Sequence, residues 1–344
     1  MGRQQAVEEA VAERRAVVNG AIDEDLPLAA PEDLYEASRY LLKAGGKRLR
    51  PTILLLVAEA LADVAPRSTD YRAFPAADGT EIDVLTAAIS IEVIQSFTLI
   101  HDDIMDDDEM RRGVPAVHEA YSLSTAILAG DTLYSKAFEN MLATGTTSDR
   151  SVRALSRLAR TCTQICEGQS LDIGYENSVA VTPEEYLEMI ELKTAVLYAA
   201  SSSIPAVVLG HDDAVDPLYG YGLDVGRAFQ IQDDLLDLTT PTEKLGKQRG
   251  SDLVEGKGTL VTVHARQQGV DVDGLIAANS TEAVTEAEID DAVATLEAAG
   301  SIEFARETAR EFVASGKDHL EVLPNNEARR LLGGVADYLV EREY

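Results

Sequence analysis

Apolar residues recur three and four positions apart along almost the whole chain, the spacing that lines one face of a helix. Strand-like alternation is weak and hairpin signals are few. The pattern predicts helices over residues 5–20, 32–43, 51–64, 84–112, 117–143, 150–174, 183–209 and 215–238. Further helices are expected over about 257–268, 286–296, 301–315 and 325–342. The punctuation between them is consistent. Pro66 to Asp83 reads as a polar loop, and Gly113 with Pro115 predicts the end of the helix that starts at 84. Thr182-Pro183-Glu184-Glu185 predicts an N-cap, a proline at the first helical position and acids in the first turn. Thr239 to Gly258, with one proline and four glycines, reads as a long connection. No fixed repeat points to a solenoid. The expected fold class is all-α, a single-domain helical bundle spanning 1–344. Its motif-bearing core covers about 30–265 and its C-terminal helices about 286–342.

Composition sharpens this picture. A length of 344 residues would allow two domains, but no linker separates them. The 45% hydrophobic content can fill a large core. The net charge of −30 argues against nucleic acid, whose binding needs Lys and Arg to neutralise phosphates. Only eight Lys stand against 22 Arg, and four of the eight, Lys47, Lys193, Lys247 and Lys257, fall inside motifs described below. An acidic, Lys-poor surface suits a high-salt, halophilic cytoplasm in which screening removes self-repulsion. The two cysteines, Cys162 and Cys166, read as reduced thiols. Apolar runs fall short of the roughly 20 residues that span a bilayer, and the N-terminus lacks a signal-peptide core. A cytoplasmic protein without membrane insertion is expected.

The candidate chemistry rests on a pattern that occurs twice, Asp102-Asp103-Ile104-Met105-Asp106 and Asp233-Asp234-Leu235-Leu236-Asp237. On a helix, residues four apart share a face, so Asp102 projects with Asp106 and Asp233 with Asp237. Carboxylates on apolar helices need compensation. A hard divalent cation provides it, and Mg²⁺ takes one or two carboxylates while leaving positions open for phosphate. Cations are placed to match. Gly45-Gly46-Lys47-Arg48-Leu49-Arg50-Pro51 combines a glycine turn with three cations at a helix entry, a phosphate-cradling arrangement. Arg111 and Arg112 follow the first acidic motif near the expected helix end, able to grip phosphate oxygens or to complement the helix dipole. Gly168-Gln169-Ser170-Leu171-Asp172, Lys193-Thr194 and Gln230 before the second motif are weaker signals, each with an ordinary packing alternative. His101 reads as a supporting residue. Together these groups suit ionisation of a carbon–diphosphate bond. Metal and cations would stabilise the leaving diphosphate, an apolar cavity would shelter an allylic cation, and a second diphosphate would align the acceptor. No strong side-chain base is present, so the released diphosphate is expected to take the final proton.

Seven segments in order carry a family resemblance: GGKRLRP at 45–51, LIHDDIMDDDEMRRG at 99–113, AILAGDTLY at 126–134, GQSLD at 168–172, KT at 193–194, FQIQDDLLD at 229–237 and GKQRGSDLVEGKGTL at 246–260. Over about residues 30–344 the chain resembles the trans-polyprenyl (isoprenyl) diphosphate synthase family. The resemblance implies an all-α isoprenoid-synthase bundle, usually a homodimer, that condenses isopentenyl diphosphate head-to-tail with allylic diphosphates. It implies Asp102, Asp106 and Asp233 as Mg²⁺ ligands, with Asp103 and Asp237 supporting. It places Arg111, Lys193, Thr194, Gln230, Lys247 and Lys257 toward the allylic substrate, and Lys47, Arg50 and Arg112 toward isopentenyl diphosphate. Gln95 stands where the family often has His, and keeps a hydrogen bond to phosphate but not the charge. Phe97, five before Asp102, with Thr98 beside it, resembles the chain-length floor of archaeal-type geranylgeranyl diphosphate synthases. Farnesyl or C25 products are the alternatives in chain length. A non-catalytic subunit of a heteromeric synthase would be expected to have decayed aspartates, and these are intact.

Overall fold

The computed structural model describes residues 2–66, 68–175, 181–241, 249–276 and 284–341. These are helical almost throughout, with two hairpins of two-residue strands, β1 (Phe74–Pro75) with β2 (Glu81–Ile82) and β3 (Met110–Arg111) with β4 (Val114–Pro115). The chain divides into two compact units. The first comprises residues 1–162, 199–219 and 319–335, the second 163–198, 220–318 and 336–344.

In the first unit, α1 (Arg3–Asp25), α2 (Glu32–Lys43) and α3 (Leu49–Leu61) precede α4 (Val84–Met105), α5 (Val117–Ala120) and α6 (Leu123–Leu142). α3 and α4 are apolar on all sides and buried over most of their length, as helices at the centre of a bundle must be. Ile89, Ile91, Val93 and Ile94 of α4 are fully buried, each side chain contributing about 1.5–3 kcal/mol of transfer free energy. α4 starts where the Asp83 side chain accepts from the Thr86 N–H at 2.8 Å. Two buried ion pairs tie the layers: Arg14 of α1 to Glu59 of α3 at 2.5 Å, and Arg48 to Glu92 of α4. Tyr71 donates to the other Glu59 oxygen.

In the second unit, α7 (Ser148–Tyr175) supplies its C-terminal part. α8 (Pro183–Ile190) begins with the expected cap, Thr182 accepting from Glu185 N–H at 3.2 Å and Glu185 accepting from Thr182 N–H at 2.9 Å. A π-helical turn, Glu191–Ala195, joins α8 to α9 (Val196–Leu209), whose residues 199–209 belong to the first unit, and α10 (Val215–Thr239) follows, belonging to the second unit from residue 220. α11 (Ser251–Val254), α12 (Leu260–Gln267), α13 (Glu286–Ala298), α14 (Ser301–His319) and α15 (Glu327–Glu341) complete the order, with residues 327–335 of α15 in the first unit.

Three sequence expectations need correction. The helix expected over 84–112 ends at Met105, and residues 110–115 form the β3–β4 hairpin instead. Asp106 to Glu109 would add four acids to the negative end of a helix dipole, which disfavours continuation. The stretch 117–143 breaks at Tyr121, and Ser122 recaps it by accepting from Thr125 N–H at 3.1 Å. Two helical stretches, Val84–Met105 and Pro183–Leu209, are long and apolar enough by length and composition to cross a membrane, contrary to the reading that no run approaches that length. The 18-residue windows are 72% and 83% buried inside the fold, as expected of core helices.

Candidate active site

The first acidic motif occupies the last turn of α4. Asp106 caps the helix, its N–H donating to the Asp102 carbonyl at 2.9 Å. Asp102 and Asp106 are half-buried, whereas Asp103 is fully buried. Arg111 on the hairpin returns to Asp103, with Nε 2.6 Å and Nη2 2.5 Å from Oδ1, and also donates to Asp108 at 2.8 Å. Burial is the largest influence on Asp103 and pushes its carboxyl up to about 6, with Arg111 opposing. Its Oδ2 is buried and accepts no hydrogen bond. Three carboxylates at the negative end of a helix, one with an orphaned oxygen, fit a hard oxygen-ligated dication. No cluster of three or more metal-ligating side chains forms among the described residues. Mg²⁺ that completes its shell with phosphate and water does not require one.

The hairpin turn brings the second arginine into place. Arg112 and Gly113 both have positive φ, 55° and 77°, the two-residue turn that matches strand twist. Arg112 donates to the Leu41 carbonyl at 3.0 Å and lies 3.5 Å from Glu92, which also binds Arg48. Arg48 is itself left-handed (φ 52°), and donates to Asn19 at 2.9 Å and to the Leu42 carbonyl at 2.5 Å. One carboxylate, 3% exposed, thus serves two guanidiniums and leaves a net positive charge. Gly46 is required here: a β-carbon would sit 2.9 Å from the Arg112 Cζ, on a backbone already at φ 142°. Strained backbone at Arg48, Asp107 (φ 56°) and Arg112 falls beside the first acidic motif and within the Gly45–Pro51 segment, as at many functional sites. Lys47 is exposed, and Arg50 and Gln95 are half-buried. Phe97 is half-buried, its ring edge-on to His101 (4.9 Å) and to Tyr134 of α6 (5.3 Å). Thr98 donates to the Gln95 carbonyl at 2.9 Å. His101 lies 3.2 Å from the Ile127 carbonyl and over Gly130, where any β-carbon would collide with its ring. The small cavity bounded by Leu26, Tyr35, Arg39 and Leu133 is lined by none of the expected site residues.

In the second unit Lys193 and Thr194 sit on the π turn, a geometry common at functional sites and absent from any sequence expectation. Two glycines press on it. A β-carbon on Gly168 of α7 would meet the Lys193 backbone nitrogen, and one on Gly226 of α10 would lie 2.5 Å from Ala195 Cα. Lys193 Nζ is 2.5 Å from Asp172. Thr194 donates to Gln230 Oε1 at 3.0 Å, Gln230 Nε2 donates to Asp234 Oδ1 at 2.9 Å, and Tyr186 donates to Asp234 Oδ2. Burial, followed by the nearby Asp252 charge, raises the Asp234 carboxyl well above its usual range; burial likewise raises the Tyr186 phenol. Asp233 is half-buried. Asp237, 2% exposed, accepts from Ser251 Oγ at 2.8 Å and from the Asp252 N–H at 3.1 Å, which ties it to the start of α11. Lys257 is 3.0 Å from Glu255. Lys247 lies outside the described residues.

Sequence reasoning missed Glu92, Tyr186 and the role of Asp234. Only Glu92 left a signal, as a lone acid in the apolar run Ile91-Glu92-Val93 that demands a buried cation.

The polyprenyl synthetase family model matches residues 31–296. A geranylfarnesyl diphosphate synthase of Natronomonas pharaonis is 68% identical over 339 residues, 98% of each chain. A geranylgeranyl diphosphate synthase of Methanosarcina mazei is 47% identical over 332 residues, 96% of each. The solved geranylgeranyl pyrophosphate synthetase of Geoglobus acetivorans superposes with a TM-score of 0.85 at 44% identity, covering 96% of this chain and 99% of that one. The chain belongs to the polyprenyl synthetase family and is a prenyltransferase, a short-chain trans-prenyl diphosphate synthase.

Proposed function

We propose that this enzyme condenses isopentenyl diphosphate with C5, C10 and C15 allylic diphosphates to give geranylgeranyl diphosphate (C20). The whole chain, 1–344, acts as one catalytic domain. Asp102, Asp106 and Asp233 hold Mg²⁺, with Asp103 and Asp237 in support. When bound, Mg²⁺ neutralises charge on the leaving diphosphate. Arg111, Lys193, Lys247 and Lys257 bind that group, and Thr194 and Gln230 face the allylic carbon. Lys47, Arg50, Gln95 and Arg112 hold isopentenyl diphosphate so that its double bond faces the allylic carbon. The net positive charge of the Arg48–Glu92–Arg112 group supports anion binding there.

Phe97 carries the chain-length reading. Five residues upstream of Asp102 is about 7.5 Å along α4, and the ring is fenced by His101 and Tyr134. A growing tail directed along α4 meets that ring. A second reading, a C25 product, is favoured by the 68% identical geranylfarnesyl diphosphate synthase. Purified enzyme, labelled isopentenyl diphosphate and each allylic starter, followed by chain-length resolution, decide between them. A dominant C20 product that lengthens in Phe97→Ala supports the floor. A C25 product, unchanged in Phe97→Ala, moves the floor elsewhere, and no condensation from any starter removes the reading altogether.

The remaining proposals concern setting. Leu123, Ile127, Leu128 and Leu142 expose apolar surface on α6, which suits a homodimer. The net charge of −30 suits a cytoplasm of high salt, so activity and folding are expected to need molar KCl. Full activity after prolonged dialysis to low salt contradicts that.

A further inference from the structure

Thr194, Gln230, Asp234 and Tyr186 form one directed chain of hydrogen bonds inside the second unit. Three of its four members are shielded from water, Tyr186 at 2% exposed, Asp234 at 7% and Thr194 at 9%, and Gln230 between them is half-buried. The direction of the chain has a consequence. An amide side chain can present its oxygen or its nitrogen to a neighbour, and the surrounding partners decide which. Asp234 accepts at both oxygens, from the Tyr186 hydroxyl on one and from Gln230 on the other. The Gln230 nitrogen is therefore turned to Asp234, and its oxygen to Thr194. The Thr194 proton is then committed to Gln230 at 3.0 Å. A hydroxyl whose proton is committed offers only lone pairs to its other side.

We propose that Tyr186 and Asp234 are positioning residues that act through Gln230 to present Thr194 to the allylic carbon as an oxygen acceptor rather than as a proton donor. This rests on the reading above in which Thr194 and Gln230 face that carbon. The benefit falls on the ionised state, because an oriented oxygen dipole stabilises developing positive charge without reorganising during the reaction. The π turn, held between Gly168 and Gly226, fixes where the oxygen stands, and the relay fixes which way its proton points. Tyr186 contributes the one donor that Phe lacks. Asp234 contributes an acceptor that Asn would replace with an amide able to donate to Gln230 and reverse it.

The experiment is steady-state kinetics on the full chain with Mg²⁺, isopentenyl diphosphate and a C15 allylic diphosphate. Tyr186→Phe is expected to lower kcat roughly tenfold, with both KM values and the Mg²⁺ requirement held within about twofold. Asp234→Asn is expected to lower kcat about 100-fold, with the Mg²⁺ requirement again unchanged. In Thr194→Val the relay has no end to act on, so adding Tyr186→Phe is expected to cost nothing further. A packing role would instead lower thermal stability and add in full to Thr194→Val. Wild-type kcat in Tyr186→Phe, or full additivity, overturns the relay while wild-type condensation leaves the synthase reading intact. A wild type that condenses nothing overturns that reading and the relay with it. If Tyr186→Phe does not fold, the kcat and Mg²⁺ requirement of Asp234→Asn decide.

Discussion

The two acidic motifs share a pattern and a place, each in the final turns of a long helix, yet they are supported differently. In the first unit the middle carboxylate, Asp103, is held by a cation, Arg111, and a second buried acid, Glu92, is held by Arg48 and Arg112. In the second unit the middle carboxylate, Asp234, is held by a phenol and an amide, and Asp237 takes a hydroxyl and a backbone N–H. Ion pairing turns arginines outward-facing in chemistry into anchored groups with fixed heads, suited to gripping anions. Neutral donors orient dipoles without adding positive charge, suited to a site where an allylic cation forms. The same five-residue signature is therefore held by cations in one unit and by neutral donors in the other.

The largest expected effect tests the ionic side. Glu92→Ala strips the carboxylate from two buried guanidiniums, and about 3–5 kcal/mol of stability should be lost in denaturant melts. A loss below 1 kcal/mol would mean that the arginines repair themselves with backbone carbonyls. Glu92→Gln, which keeps the shape, should raise the KM for isopentenyl diphosphate more than it lowers kcat.

Next comes the geometry of the other unit. Gly168→Ala forces a methyl against the Lys193 backbone, so the π turn must move and kcat should fall about 100-fold. Gly174→Ala, on the same helix with open space around it, serves as the control and should be neutral or stabilising by up to about 1 kcal/mol. Equal kinetics for the two variants would break the link between glycine packing and catalysis.

Arg111→Lys keeps the charge at the first motif but loses the planar fork on Asp103 and Asp108. kcat/KM for the allylic substrate should drop about tenfold, equivalent to roughly 1.4 kcal/mol. An unchanged value would assign Arg111 to the fold alone.

The smallest effect lies outside both motifs. Burial, then the Arg150 charge, lowers the pKa of His211 in the folded state. The unfolded chain therefore binds the extra proton, and stability should fall as pH drops through the ordinary histidine range. His211→Asn should reduce the pH 7.5 to 5.5 difference in Tm by about 1 °C. A larger difference in the variant contradicts the direction.

Much of this arrangement could be read from residues alone. Helical periodicity placed the long helices, the Thr182–Glu185 cap appeared where its residues called for one, and the ordered motifs pointed to the family. What stayed hidden was set by tertiary contact. The hairpin that replaces the end of the 84–112 helix depends on Arg111 returning to Asp103. The π turn depends on glycines 25 residues before it and 33 after it, counting Gly168 to Lys193 to Gly226. The direction of the relay depends on Tyr186 reaching Asp234, 48 positions away. Periodicity reports faces, and it carries no information about which groups meet across them.

The division between outer and middle aspartates is tested most directly by the Mg²⁺ concentration that half-saturates condensation, measured for the wild type, Asp102→Asn, Asp233→Asn and Asp234→Asn. Loss of an outer carboxylate should raise that concentration about tenfold or more and lower the rate about 100-fold or more. Asp234→Asn should lose rate at an unchanged Mg²⁺ requirement. Equal shifts in all three variants would contradict the account, since the middle aspartate would then be one more ligand.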